Sequence, residues 1–146
     1  MCVPAGQDRV VTIGIDVLRN SGQAPALIEG IALAEPSAGL TIVGAVVVPV
    51  GFELVGVREG FPPAVTDLDH GVIWEQRVEV SKAEIPPETI SGSVWNLVVG
   101  VGLTDGVESG HAAGFRLFYA VGNRSYQYVT AQEIELRSGT CLDDEL

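Results

Sequence analysis

The sequence predicts an all-β protein, an antiparallel β-sandwich of about seven to nine short strands. Apolar and polar residues alternate at every second position, turn-forming residues recur every ~8–12 residues, and no segment has the pattern of a long amphipathic helix. Apolar residues make up 47% and charged residues 18% of the 146-residue chain, which favours a buried core over disorder. We expect one domain over residues 1–146, with a core at about residues 9–137 and short tails at 1–8 and 138–146.

Four strands are predicted in the first half of the chain, at residues 11–17, 26–34, 40–48 and 52–58. In the first of them every second residue is apolar, which is typical of a strand with one buried face. Residues 20–23 and 35–39 are rich in turn-forming side chains and separate the first three strands. Because residues 40–48 are apolar on both faces, this strand is expected to be central in its sheet.

The second half of the chain begins irregularly. Residues 59–70 contain Pro62-Pro63, which is compatible with neither a helix nor a central strand. Gly122-Asn123 predicts a two-residue hairpin turn, and Ile134 and Leu136 are expected to extend the last strand. The strands predicted in this half lie at residues 71–80, 94–103, 115–121 and 125–130.

The charge of the chain argues against two classes of partner. With a formal net charge of −11, the protein repels phosphate backbones, so no nucleic-acid partner is expected. It also gains nothing at an anionic membrane surface, and the charge is expected to serve solubility. The two longest uncharged stretches, residues 36–52 and 90–104, are shorter than the ~20 residues of a spanning helix. Both are rich in Gly and β-branched residues, so we expect buried strands and no direct membrane span.

The two cysteines, Cys2 and Cys141, lie near opposite ends of the chain and are candidates for one disulfide. A bridge closing so long a loop would stabilise the fold by ~4–5 kcal/mol at most in the chain-entropy model, and it requires an oxidising compartment. Two alternatives remain: unrelated free thiols, or Cys2 as the lipid-bearing first residue of a mature lipoprotein. No lipobox or secretion signal is recognisable in the sequence, so an extracytoplasmic protein would depend on an anchor outside this chain.

Candidate catalytic or metal-ligating residues are few. Asp67, Asp69 and His70 cluster in the irregular segment, where two carboxylates and an imidazole could bind a divalent cation or act as acid and base. Calcium prefers more oxygen ligands and zinc more His or Cys ligands, and the only other histidine is His111, so we interpret the cluster as a polar turn. With no nucleophile elbow and no phosphate loop in the sequence either, we expect no catalytic residue, no cofactor and no metal.

Two groups of aromatic residues are candidate partner contacts. The first is the loop Phe61-Pro62-Pro63, because an exposed Phe beside a rigid Pro pair suits a protein-binding tip. The second is the pair Tyr126 and Tyr128, which share one face of the last predicted strand. The alternative for both groups is ordinary packing over the ends of the sandwich.

Several segments resemble bacterial extracytoplasmic immunoglobulin-like domains of envelope proteins, as found in actinobacteria. Residues 19–25, Arg-Asn-Ser-Gly-Gln-Ala-Pro between two strands, match the N-[ST]-G-x-x-P opening of such domains. The loop Ile85-Pro86-Pro87-Glu88 ahead of Trp95 resembles their proline loop, and the terminal hairpin resembles their last two strands. The antibody-type Cys…Trp…Cys core is absent. The resemblance implies an immunoglobulin-like antiparallel β-sandwich located outside the cytoplasm, and it implies no reaction, because a fold does not fix a function.

Three functions are therefore considered for the chain. The first is a non-catalytic protein-binding or structural module of the bacterial cell envelope or secreted space, with a protein partner that the sequence does not identify. The alternative is an accessory subunit of a larger membrane or extracellular assembly, suggested by the doubly apolar strand at residues 40–48. A small-ligand or metal-binding domain or an enzyme built on Asp67, Asp69 and His70 ranks third, because the cluster lacks most elements of an active site.

Overall fold

A computed structural model describes residues 1–92 and 94–141. These residues form one short helix, α1 (Glu88–Ser91), three single 3-10 turns at Val65–Asp67, Trp74–Gln76 and Val80–Lys82, and many strands. No helix in the described part of the chain has the length and apolar character needed to cross a membrane. The strands are β1 (Cys2–Pro4), β2 (Val10–Leu18), β3 (Ala26–Ala34), β4 (Leu40–Pro49), β5 (Gly56–Glu59), β6 (Val78–Glu79), β7 (Glu84–Ile85), β8 (Trp95–Leu103), β9 (Ser109–Ala112), β10 (Gly114–Val121), β11 (Arg124–Val129) and β12 (Ile134–Arg137).

The strands form three sheets. A five-stranded sheet has the order β5-β2-β8-β4-β6, a four-stranded sheet the order β11-β10-β3-β7, and a three-stranded sheet the order β1-β12-β9. Leu97, Val99 and Val101 of the five-stranded sheet share one buried core with Ile28 and Phe115 of the four-stranded sheet. The protein is thus an all-β sandwich, as the sequence predicts, and all but one of the strand pairings are antiparallel.

The longest predicted strands are confirmed. Strand β3 spans the predicted residues 26–34, and β2, β4 and β8 each differ from their predictions by one or two residues. The hairpin of β10 and β11 turns at Gly122-Asn123 in register from Arg116 opposite Val129 to Val121 opposite Arg124. These segments are long and either alternate strongly or are apolar on both faces, which is why the sequence pattern predicts them as strands.

A second core explains why β4 is apolar on both faces. Residues of the segment between β4 and β6, including Val55 and Trp74, pack with Val46, Val48 and Val98 on the outer face of the five-stranded sheet. The chain itself therefore covers most of the surface that suggested a partner subunit in the sequence, and β4 lies next to the edge of its sheet rather than at the centre.

Two predicted strands are wrong in part. Of residues 52–58 only Gly56 onward is a strand, and Phe52 is 95% exposed. Residues 71–80 form the 3-10 turn at Trp74–Gln76, the two-residue β6 and the start of the 3-10 turn at Val80–Lys82 instead of one strand. The reason is that the segment passes from one core to the other: Trp74 packs in the second core, whereas Val78 and Val80 contact the core between the sheets. The guanidinium of Arg77 lies 5.1 Å from the centre of the Trp74 ring.

The end of the chain also differs from its prediction. Ile134 and Leu136 do not extend β11 but belong to β12, which pairs antiparallel with β9 and parallel with β1. The hairpin ends at Thr130, whose N–H donates to Phe115 O (2.9 Å) and whose Oγ1 accepts from Phe115 N–H (2.9 Å). Residues 2–4, placed in a tail by the sequence, form β1 and bury Val3. The predicted tail beyond residue 141 lies outside the described residues.

Candidate functional site

A cleft of about 460 Å³ opens at one end of the sandwich. It lies between the end of β2, the start of β3 and the β10–β11 hairpin. We call it the tyrosine cleft and its end of the molecule the open end. Its walls are formed by apolar side chains, tyrosines and one polar loop, among them Leu18, Asn20, Leu117, Tyr119, Tyr126 and Tyr128.

The register of the hairpin places the tyrosines in the cleft. Tyr126 lies opposite Tyr119 and Tyr128 opposite Leu117, so all four side chains share the inner face of the sheet. Leu117 is covered by the opposing sheet, whereas β11 is the outermost strand and every one of its residues is exposed. Tyr126 and Tyr128 therefore retain 42% and 49% of their exposure. The rings of Tyr119 and Tyr126 stack with their centres 5.5 Å apart.

The opposite wall is fixed by Asn20, in the turn that the sequence predicts. Its Nδ2 donates to the carbonyls of Ala24 (2.8 Å) and Ile85 (2.9 Å), and its Oδ1 accepts from Gly22 N–H (3.0 Å). The carbonyl of Asn20 accepts from the N–H of Glu88, the first residue of α1 (2.8 Å). One side chain thus joins the β2–β3 turn to the proline loop.

Two charged groups near this wall are notable. Arg19 at the mouth pairs with Glu88 through Nη1 and Oε1 at 2.8 Å. Asp16 lies on β2 just below the cleft, where partial burial raises the pKa of its carboxyl above the usual range. Tyr126 and Tyr128 were candidate contacts from the sequence, whereas Arg19, Asn20 and Tyr119 were not. The signal that could have found Tyr119 is its spacing of two residues from Leu117, which places both side chains on one face of the strand.

The opposite end of the sandwich carries the disulfide. Cys2 and Cys141 are bonded, with their Cα atoms 5.8 Å apart, so the predicted bridge is present and the sulfur of Cys2 carries no other group. The N-terminal amine donates to Glu133 O (3.0 Å). We call this region, with β1, β9 and β12, the disulfide end. A second cavity of about 570 Å³ adjoins it, lined in part by Glu35, Glu133 and Glu135.

Phe61 is not the exposed tip that the sequence predicts. Its ring lies on the outer face of the five-stranded sheet over Gly44 and Gly100, where any Cβ would overlap it. The Phe61–Pro62 peptide bond is cis, and Pro63 is buried, while Pro62 is exposed. The apolar ring finds a site on its own sheet because two glycines facing each other on β4 and β8 leave a hollow there. This places Phe61 in the second core and leaves the tyrosines as the aromatic candidates for contact.

The acidic cluster has the character of a polar turn. Asp67, Asp69 and His70 are all exposed, and Asp69 Oδ2 lies 3.6 Å from Arg58 Nη2. His111 lies far along the chain on β9, opposite Glu135. Within residues 1–92 and 94–141, no three His, Cys, Asp or Glu side chains are placed to hold a metal ion.

No protein-family model and no curated protein matches the sequence. The site must therefore be interpreted from its own geometry. An apolar cleft with half-exposed phenol rings can bury part of a ligand and hydrogen-bond to it, which is the chemistry of a binding surface.

Proposed function

We propose that this chain is a non-catalytic binding module that works outside the cytoplasm, in the bacterial cell envelope or the secreted space, and holds a protein partner in the tyrosine cleft. The observation that carries the proposal is the exposure of Tyr126 and Tyr128 beside a cleft whose opposite wall is held by the hydrogen bonds of Asn20. Tyrosine contributes strongly at protein interfaces because it buries a large rigid ring and keeps a polar hydroxyl.

The extracytoplasmic location is supported by the disulfide. A bond between Cys2 and Cys141 persists in oxidising compartments and is reduced in most cytosols. The resemblance of the turn at residues 19–25 to envelope immunoglobulin-like domains agrees with this placement. A binding module rather than an enzyme is favoured because the cleft wall consists mainly of apolar and aromatic side chains.

The test compares two variants in affinity capture from an extract of cells that produce the protein, with mass spectrometry of the bound proteins. The double variant Tyr126→Ala, Tyr128→Ala removes the aromatic surface, and Phe52→Ala removes a more exposed ring from a loop outside the cleft. A partner retained by wild type and by Phe52→Ala but lost from the tyrosine variant is expected. Equal retention by both variants would contradict the proposal.

A second candidate, an accessory subunit of a larger assembly, is favoured by the outer face of the four-stranded sheet. Leu27 and Val129 are 50% and 38% exposed on this face, and Gly30 beside them has open space above it. Such a surface could be covered in a stable complex. The expected result for a subunit is that Leu27→Asp releases the partner while the tyrosine double variant retains it.

A further inference from the structure

Strand β11 leaves one side of its backbone free. It lies at the edge of the four-stranded sheet, and β10 is the one strand that pairs with it in the described part of the chain. Thr130 is hydrogen-bonded to Phe115, and in an antiparallel ladder such pairs alternate, so Tyr128 and Tyr126 are also bonded to β10. The N–H and C=O groups of Ser125, Gln127 and Val129 therefore point away from the sheet.

This edge differs from the other sheet edges. Strands β6 and β7 have two residues, β1 has three, and β5 and β9 have four, whereas β11 has six, all exposed. Its pairing with β10 runs without a register shift, and it contains no proline. Charged side chains, bulges, prolines and short length are the usual means of preventing a further strand from adding to an edge. Residues 124–129 have, of these, only the charge of Arg124 at the first position.

The charge of the hairpin is opposite to that of the protein. Residues 114–130 include Arg116 and Arg124 and no Asp or Glu, in a chain with net charge −11. Arg116 Nη1 donates to Gln127 Oε1 (3.1 Å) on the outer face, so its guanidinium already reaches β11. Arg124 lies on the inner face with the tyrosines, and no side-chain hydrogen bond or ion pair engages it in the described structure. Two positive groups thus lie one on each face of the free edge, and on the outer face the carboxylate of Glu29 accepts from Ser125 Oγ (3.5 Å).

We propose that β11 binds an extended segment of a partner protein as an added strand, and that this segment alternates apolar with acidic side chains. Main-chain bonds to Ser125, Gln127 and Val129 would give affinity, and alternate side chains would give specificity. Apolar side chains of the added strand face the tyrosine cleft, and carboxylates on the other face meet Arg116. The inference rests on the proposed binding function, which it deepens by naming the kind of partner.

The probe is a capped peptide, acetyl-Val-Asp-Val-Asp-Val-Asp-Val-amide, titrated into the full disulfide-bonded protein and followed by backbone NMR with amide hydrogen exchange. Binding is expected to slow exchange at Ser125, Gln127 and Val129. A matched peptide with Lys in place of Asp is expected to bind about tenfold more weakly. Equal binding of the two peptides would overturn the acidic character of the partner, and binding without slower exchange at these amides would overturn strand addition.

Two variants at one position isolate the backbone contact. Gln127→Pro removes an N–H that makes no bond to β10, so the hairpin is expected to remain, while the peptide binds about tenfold more weakly. Gln127→Ala loses the same side chain and the same bond from Arg116 but keeps the N–H, and it should bind as wild type does. Equal loss in both variants would assign the effect to the side chain and overturn the proposal.

Other outcomes separate this proposal from the function on which it rests. If the tyrosine double variant loses its captured partner but Gln127→Pro keeps it, the cleft binds the partner and strand addition is wrong. A dimer at rising concentration that Gln127→Pro abolishes would make a second copy of this chain the occupant, which also overturns the proposal.

Discussion

The two ends of the sandwich are built in different ways. At the disulfide end a covalent bond joins Cys2 to Cys141, and Ile134 and Leu136 of β12 are almost fully buried. At the open end β11 is the outermost strand of its sheet, and all of its residues are exposed. The disulfide end is held by apolar contacts and a covalent bond. At the open end, one wall of the tyrosine cleft is held by the hydrogen bonds of Asn20.

The disulfide end therefore contributes mainly to stability, and the open end to the proposed binding. Regions with many buried contacts open only with the whole fold, whereas regions with few buried contacts can rearrange or bind at little cost to stability. Exposed side chains of β11 at the open end can therefore change with small effects on folding, and changes at the disulfide end are expected to act through folding.

The largest expected effect is loss of the disulfide. The variant Cys2→Ser, Cys141→Ser removes a cross-link between residues with a sequence separation of 139, and the free energy of unfolding is expected to fall by roughly 2–5 kcal/mol. Urea unfolding followed by tryptophan fluorescence measures it, with wild type in reductant as the matching control. An unchanged midpoint would show that β1 and the buried Val3 hold this end without the bond.

A matched pair of truncations compares the ends directly. Leu136→Ala empties a fully buried site and is expected to cost about 3 kcal/mol of unfolding free energy. Tyr128→Ala removes a larger side chain that is half exposed and should cost less than about 1 kcal/mol. Similar losses in the same urea experiment would mean that the open end is as tightly packed as the disulfide end.

Asn20→Ala tests whether one side chain fixes the wall of the cleft. It removes hydrogen bonds to the carbonyls of Ala24 and Ile85, at an expected cost of about 1–2 kcal/mol. Amide exchange should rise in residues 20–24 and at the start of α1 but not in β12. The control is Ser21→Ala, which changes the same loop but keeps the hydrogen bonds of Asn20. Equal amide exchange in residues 20–24 of the two variants would contradict the role of Asn20 in fixing the wall.

The smallest effects concern pH and have opposite signs at the two ends. Burial raises the pKa of Asp16, so this carboxyl binds a proton more readily in the folded protein than in the unfolded chain. The charged carboxylate therefore destabilises the fold, and this destabilisation grows as pH rises through the acidic range. Asp16→Asn should therefore stabilise the protein slightly at neutral pH and leave it unchanged at pH values where wild-type Asp16 is protonated. Thermal unfolding across pH measures this.

The hydrogen bond from Arg137 lowers the pKa of Glu135 at the disulfide end, so its favourable contribution is present at neutral pH and is lost as pH falls through the folded pKa. Glu135→Gln should flatten the acid limb of the stability curve. If Asp16→Asn and Glu135→Gln shifted this limb in the same direction, the opposite signs would be wrong.

Regular alternation made much of the sheet predictable. Residues 26–34 and the hairpin at Gly122-Asn123 were located from local pattern and turn chemistry, since a period of two and a two-residue turn specify strands directly. The same pattern misplaced residues 71–80, because their apolar side chains enter two different cores instead of one face of a strand. Of the candidate contacts, the tyrosines were placed on a shared face by alternation, while the position of Phe61 depends on glycines distant in sequence.

By itself the sequence determined the all-β class, the principal strands, and the pairing of tyrosines on one face, because these follow from periods of a few residues. Only the tertiary structure decided which chain segments cover each sheet face, that Phe61 packs over Gly44 and Gly100, and that β11 is an exposed edge strand. Those features depend on contacts between residues far apart in the chain, and the local pattern contains no information about which distant surface a side chain will meet.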